Sequence, residues 1–275
     1  MNFWEGVILG IIQGLTELLP VSSSAHLVIA QSFIKGFHQP GVLFDVVLHL
    51  GTMIAVIFFF RKEILDITMA LIPLTWRPAS CCHDDSELIG TRRKLALLII
   101  IGTVPAGIMG VLFRDEIHRL FESVEITAVM LLVTGLLLFA SDNIKNANRL
   151  EDNMNIADSI LIGIAQGIAL IPGISRSGST IAFGIFRGLD RETAARFSFL
   201  LSIPAITGAA VLESRYVTSV PLSDLPTYGI GFLMAAVTGF LSLKFLFLIL
   251  KRKGLKVFAY YCWFAGCMTL IVTMF

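Results

Sequence analysis

The chain has 275 residues, of which 56% are hydrophobic and only 15% charged, and its mean hydropathy is +0.83. A soluble domain needs about 25% charged residues to cover its surface, so this composition excludes an ordinary soluble globule and makes lipid the solvent around much of the chain. A net charge of +1 with no basic domain gives no sign of nucleic-acid binding.

From the N-terminus, Glu5 is the sole charge before Glu17, so the basic region of a cleavable signal is missing. The first apolar stretch, Gly10-Ile-Ile-Gln-Gly-Leu-Thr-Glu-Leu-Leu-Pro-Val-Ser-Ser-Ser-Ala-His26, is interrupted. Pro20 removes a backbone donor and disfavours helix at the residue before it, and the serines that follow can cap a new helix. A long apolar run at 42–60 is predicted to span the membrane, since about 20 apolar residues cross roughly 30 Å of hydrocarbon. Inside it Asp45 and His49 stand at i, i+4 and are expected to pair within the bundle, a role in a site being the lesser reading.

The basic stretch 61–94 is predicted as a loop. It contains Cys81-Cys82-His83-Asp84-Asp85, but adjacent cysteines lack the Cys-x-x-Cys spacing of metal sites, so a polar connection is expected. With Cys262 and Cys267 they suggest no disulfide framework. Spans follow at 95–113 and 126–140, flanking a polar loop near 114–123. After the basic segment 145–149 comes a second interrupted stretch, Gly163-Ile-Ala-Gln-Gly-Ile-Ala-Leu-Ile-Pro-Gly-Ile-Ser-Arg-Ser-Gly-Ser-Thr180. A basic loop at 187–196, spans at 197–212 and 228–250, another basic loop at 251–256 and a last span at 257–275 complete the chain. The spans 126–140 and 197–212 are short and must borrow flanking residues.

Irregular backbone survives at membrane depth only where protein or a watery cavity covers it. The two interrupted stretches are therefore predicted to be re-entrant helix-loop-helix hairpins whose tips meet inside the bundle. Gly10-x-x-Gln13-Gly14 returns as Gly163-x-x-Gln166-Gly167, and Thr103-Val-Pro105-Ala is similar to Ser202-Ile-Pro204-Ala. The expected fold is an all-α polytopic membrane protein, about six transmembrane helices plus two hairpins in an inverted repeat. It would form a single membrane domain, 1–275, with repeats of approximately 1–145 and 146–275. Placing the loops 61–94, 145–149, 187–196 and 251–256 in the cytoplasm makes the first hairpin enter from outside and the second from inside.

Ionisable groups at membrane depth are functional candidates by default, and here they gather at the hairpin tips. The first tip offers Gln13 and Glu17 on one helix face, then Ser22, Ser23, Ser24 and His26. The second offers Ser175, Arg176, Ser177, Ser179 and Thr180, with Gly173 and Gly178 beside them. The planar fork of Arg176 suits phosphate, and hydroxyls with the N–H groups of a new helix complete an anion cradle. The second tip reads as an oxyanion site and the first as its chemistry.

The segments Gln13-Gly-Leu-Thr-Glu17-Leu-Leu-Pro-Val-Ser-Ser and Pro172-Gly-Ile-Ser-Arg-Ser-Gly-Ser-Thr180 resemble the two signatures of the undecaprenyl-pyrophosphate phosphatase, or bacitracin-resistance, family. The first is Glu or Gln followed four residues later by Glu; the second is Pro-Gly-x-Ser-Arg-Ser-x-x-Thr, matched at every specified position. With length and hydropathy also agreeing, the resemblance covers essentially the whole chain. It implies a multi-pass enzyme of the bacterial plasma (inner) membrane that removes the terminal phosphate of undecaprenyl pyrophosphate, with its site toward the external or periplasmic side. Such an enzyme recycles the lipid carrier for cell-wall synthesis and confers bacitracin resistance.

The resemblance implies catalytic roles for Glu17, Ser23, His26 and Arg176, and substrate contacts from Gln13, Ser22, Ser175, Ser177 and Thr180. Ser23 is the candidate nucleophile, with Glu17 or His26 as its base; water activated by the same pair fits equally. Gln13, where the family also uses Glu, counts against any scheme that makes this position an essential base. A divalent cation (Mg²⁺ or Ca²⁺) is expected to accompany the pyrophosphate, with no ligands assigned, and no organic cofactor. Membrane lipids are the other expected partners, and a homo-oligomer is left open. Two rivals stand beside this reading. A transporter or flippase of polyprenyl phosphate would share the anion cradle, but has little need of a carboxylate and a histidine beside it. A type-2 phosphatidic acid phosphatase needs a catalytic histidine after its Ser-Arg motif, and none follows Arg176.

Overall fold

The computed structural model describes residues 2–34, 42–72, 86–252 and 254–274. Among these no β-strand forms; one isolated bridge joins Arg149 to Leu189. The chain is an all-α polytopic membrane protein.

The two interrupted stretches fold as helical hairpins, and their starts follow capping chemistry. Asn2 and Glu5 form a reciprocal capping box at the start of α1 (Phe3–Glu17), and the side chain of Ser22 caps α2 (Ser23–Ser32). We number the next helices α3 (Leu43–Phe59), α4 (Arg61–Leu71), α5 (Ser86–Leu112), α6 (Arg114–Leu120) and α7 (Val124–Asp142). Asn155 and Asp158 then box α8 (Ile156–Ile168), and Ser175 caps α9 (Arg176–Phe186). The chain closes with α10 (Arg191–Glu213), α11 (Leu225–Arg252) and α12 (Lys256–Met274).

Five of these, α5, α7, α10, α11 and α12, are long and apolar enough to cross a membrane, and the pair α3 and α4, bent by 78°, makes six if it counts as one span. The segment expected as a loop at 61–94 is therefore corrected: α4 occupies its start and α5 reaches back to Ser86. The Cys81-Cys82-His83 cluster lies outside the described residues. The spans predicted at 126–140 and 197–212 do take in their flanks, α10 starting at Arg191 because Asp190 accepts from the backbone N–H groups of Glu192 and Thr193. Along α5, Leu97, Ile100, Val104, Ile108 and Val111 are more than half exposed. Such an apolar stripe is stable only against lipid.

α1 lies along α11 and α8 lies along α5, while α7 meets α12 and α3 meets α10. The two hairpin contacts are backbone to backbone. A Cβ on Gly10 would come within 2.4 Å of the Gly231 carbonyl oxygen, and one on Gly163 within 2.2 Å of that of Gly102. The recurring Gly-x-x-Gln-Gly thus marks two tight crossings, as small residues do between helices in lipid. Pro105 sits in α5 and Pro204 in α10. α5 packs along α8, and α10 packs along α3 and α9.

The described residues of all four basic segments meet at one end of the bundle, Lys251 lying 3.8 Å from Glu192. Arg92 pairs with Glu151 at 3.0 Å, Arg191 with Asp142 at 2.7 Å, and Arg149 and Arg187 each approach buried Asp158 at 2.7 Å. Arg196 pairs with Glu63 there too. At the other end Arg114 pairs with Glu213.

Candidate active site

Glu17, in the last turn of α1, is 6% exposed and stands at the meeting of the two hairpins. Its oxygen Oε1 accepts from Nη2 of Arg176, the first residue of α9. Its oxygen Oε2 accepts from the Ser23 hydroxyl and, at 3.0 Å, from Gln13 Nε2. His49 Nε2, from α3, approaches the same oxygen at 3.2 Å. Four helices thus converge on one carboxylate.

The tips are shaped by backbone as well as side chains. Gly173 has φ +95°, and a Cβ there would lie 2.2 Å from the Thr127 carbonyl oxygen of α7. Thr134, also of α7, donates to the Gly173 carbonyl at 2.9 Å and accepts from the Ser175 N–H at 2.9 Å, which fixes the start of α9. The Gly173 N–H donates to Ser24 Oγ at 3.3 Å and so joins the two tips. Ser22, with φ 66°, is the one non-glycine residue in the left-handed region among the described residues. It turns the chain from Pro20 into α2.

Of the residues expected to form the site, Gln13, Glu17, Ser23, Arg176 and Ser177 come together, the Ser177 hydroxyl donating weakly at 3.3 Å to the Glu17 and Leu19 carbonyls. The Ser175 hydroxyl accepts from the Gly178 N–H at 3.0 Å, the Thr180 hydroxyl donates to the Arg176 carbonyl at 2.8 Å, and Ser22 Oγ lies 3.1 Å from Ser24 Oγ. These three build the turns that present the site. His26 is turned elsewhere. Its Nδ1 donates to the Ser22 carbonyl at 2.8 Å, and its Nε2 accepts from the Tyr261 hydroxyl of α12 at 2.7 Å. The histidine that meets Glu17 is His49, whose signal was its pairing with Asp45 inside an apolar run. Thr134, Ser198 and Tyr261 gave none. Ser198 and Ser202 of α10 line, with Glu17, Leu18, Arg176, Ser177 and Phe199, a cavity beside the carboxylate.

Electrostatically the site is a buried carboxylate against a guanidinium at a helix N-terminus, where the backbone N–H groups of α9 add positive potential. Charge of the opposite sign is strongly attracted there because little water screens it. The described residues form no protein-only metal cage. Among the described residues no three His, Cys, Asp or Glu side chains converge, and both Glu17 oxygens face protein donors.

Comparison with known proteins identifies the family. The family model described as bacitracin resistance protein BacA matches residues 6–268. A protein of Syntrophotalea carbinolica named undecaprenyl-diphosphatase is 42% identical over 268 residues, 98% of this chain and 98% of its own length. Proteins of the same name from Halothermothrix orenii, 42% identical over 274 residues, and Methanobrevibacter smithii, 39% over 267, cover 99% and 97% of this chain and 98% and 96% of their own length. With a match running almost from end to end, the chain belongs to the bacitracin resistance protein BacA family.

Proposed function

We propose that this protein is a membrane phosphatase that hydrolyses undecaprenyl pyrophosphate to undecaprenyl phosphate and inorganic phosphate. The observation that carries this is Glu17 held between the Ser23 hydroxyl of one hairpin and Arg176 of the other. An anion-binding site alone would not need a buried carboxylate against a serine hydroxyl. Ser23 Oγ attacks the terminal phosphorus and its proton passes to Glu17 Oε2. The bond from that phosphorus to the bridging oxygen breaks, undecaprenyl phosphate leaves, and water later releases phosphate from the serine. Arg176 and the N–H groups of α9 hold the phosphoryl oxygens as charge moves. His26, with both ring nitrogens engaged, is assigned to holding the first tip rather than to taking the Ser23 proton.

The basic end of the bundle is the cytoplasmic end by the positive-inside rule. α1 then enters from outside, which supports a site served from the external or periplasmic face of a bacterial inner membrane. The reciprocal packing of α1 on α11 and α8 on α5 supports halves of about 1–145 and 146–275 as inverted repeats. A Mg²⁺ or Ca²⁺ ion would arrive on the pyrophosphate oxygens rather than reside on the protein. The same repeat architecture favours a second reading, transport of polyprenyl phosphate across the membrane. The deciding experiment is phosphate release from undecaprenyl pyrophosphate by purified protein in detergent. Release that is lost in Arg176→Ala and Glu17→Ala supports the phosphatase, whereas lipid flipping in liposomes without release supports the transporter.

A further inference from the structure

We infer that His49 is the positioning residue for Glu17, holding the carboxylate where it can take the nucleophile's proton. The inference rests on the phosphatase reading above. The Nδ1 of His49 lies 2.7 Å from the Asp45 carbonyl oxygen, an atom that can only accept, so Nδ1 carries a hydrogen. The opposite ring nitrogen, Nε2, lies 3.2 Å from Glu17 Oε2. This edge of the ring thus stands against the carboxylate oxygen as a close polar contact. The ring is well fixed for this task. Gln31 of α2 donates to Asp45 Oδ1 at 2.6 Å, which ties the outgoing arm of the first hairpin to the turn of α3 that carries His49.

The task follows from what else Glu17 touches. A carboxylate beside a guanidinium prefers to give both oxygens to the fork. In that pose Glu17 would turn its second oxygen from Ser23 to Arg176. Here Arg176 holds one oxygen, while His49, Gln13 and Ser23 hold the other. Gln13 approaches along α1 itself and Ser23 is the group to be activated. His49 is the anchor that reaches Oε2 from a third helix, and it keeps that oxygen out of the fork.

The test compares His49→Leu and His49→Met, which remove the polar contact, with His49→Gln, whose amide Nε2 sits where the ring Nε2 was and can donate to Glu17. Phosphate release from undecaprenyl pyrophosphate is measured across lipid concentrations, with thermal melting and gel filtration in detergent to select folded variants. The expected result is a kcat about 10- to 100-fold lower in H49L and H49M, since a misplacement of about 1 Å can cost about 10²-fold, with KM within about threefold, and recovery of most of kcat in H49Q. Should H49L misfold, the near-isosteric unbranched H49M carries the comparison. Folded H49L or H49M with kcat within about threefold of wild type would overturn the inference, and so would H49Q as impaired as they are. A wild type that releases no phosphate would remove the phosphatase reading and this role with it.

Discussion

Replacing Glu17 by Gln keeps the side chain's size and takes away its charge and its basicity. The new amide has one good orientation: its oxygen toward Arg176, which has only donors, and its NH₂ toward Ser23, His49 and Gln13. Gln13 already has a buried Oε1 without a partner. A flip of the Gln13 amide would aim that oxygen at the new NH₂ and so absorb the substitution. What remains lost is the countercharge to Arg176, whose side chain is 20% exposed. Stripping a buried charge of its partner costs about 3–5 kcal/mol; with the hydrogen bond retained, about 1–3 kcal/mol is expected here. The reaction suffers more. A missing general base lowers kcat by about 10²- to 10⁴-fold, or about 3–5 kcal/mol of barrier. Phosphate release at saturating lipid, set beside thermal melting of the same preparations, separates the two effects. A folded Glu17→Gln protein with kcat within about threefold of wild type would refute Glu17 as the base.

Arg176→Ala should slow phosphate release by about 10²- to 10³-fold, the usual effect of losing one transition-state donor. Arg176→Lys should recover only part of it, because the charge returns without the planar fork. Ser23→Ala should abolish turnover, and rapid quenching of wild type with substrate labelled in its terminal phosphate should trap phosphoserine at Ser23; full activity of the alanine variant would move the attack to water. Gly173→Ala forces a Cβ to within 2.2 Å of the Thr127 carbonyl oxygen at φ +95°. It should destabilise the protein by about 1–3 kcal/mol or more, read as a lower melting temperature. Exhaustive chelation should reduce turnover and added Mg²⁺ or Ca²⁺ restore it; undiminished turnover would remove the cation from the reaction.

The hairpins were legible because a proline followed by serines has no place in a plain lipid-exposed helix, and Pro20 and Pro172 each sit in such a stretch. The recurring Gly-x-x-Gln-Gly was legible as a pattern but not as a purpose. Its partners, Gly231 for Gly10 and Gly102 for Gly163, lie far away along the chain. The bend at Phe60 read as the end of a span, since the apolar run stops there and Arg61-Lys62-Glu63 follow, with neither proline nor glycine to mark a turn into a second helix. The charges of 61–71 read as a loop, yet they line a helix whose Glu63 pairs with Arg196 across the bundle. Proximity in the chain set His26 beside Ser23, whereas the fold turns that ring to Tyr261 and brings in His49 from another helix. The i, i+4 pair of Asp45 and His49 marked a candidate, but which histidine meets the carboxylate is decided by helix packing.

The contact between Glu17 and Arg176 has a consequence for how a lipid comes and goes. The carboxylate occupies, on the guanidinium, a position that a phosphate oxygen would take, so binding is a swap of one anion for another rather than the filling of a bare cationic hole. A neutral headgroup gains nothing there, and a singly charged one must displace an intramolecular rival already in place. A pyrophosphate, with more charge and more oxygens, is the headgroup best able to win that contest. Once its terminal phosphate has been cut away, the rival returns, and the guanidinium is never left buried without a counterion as the product departs.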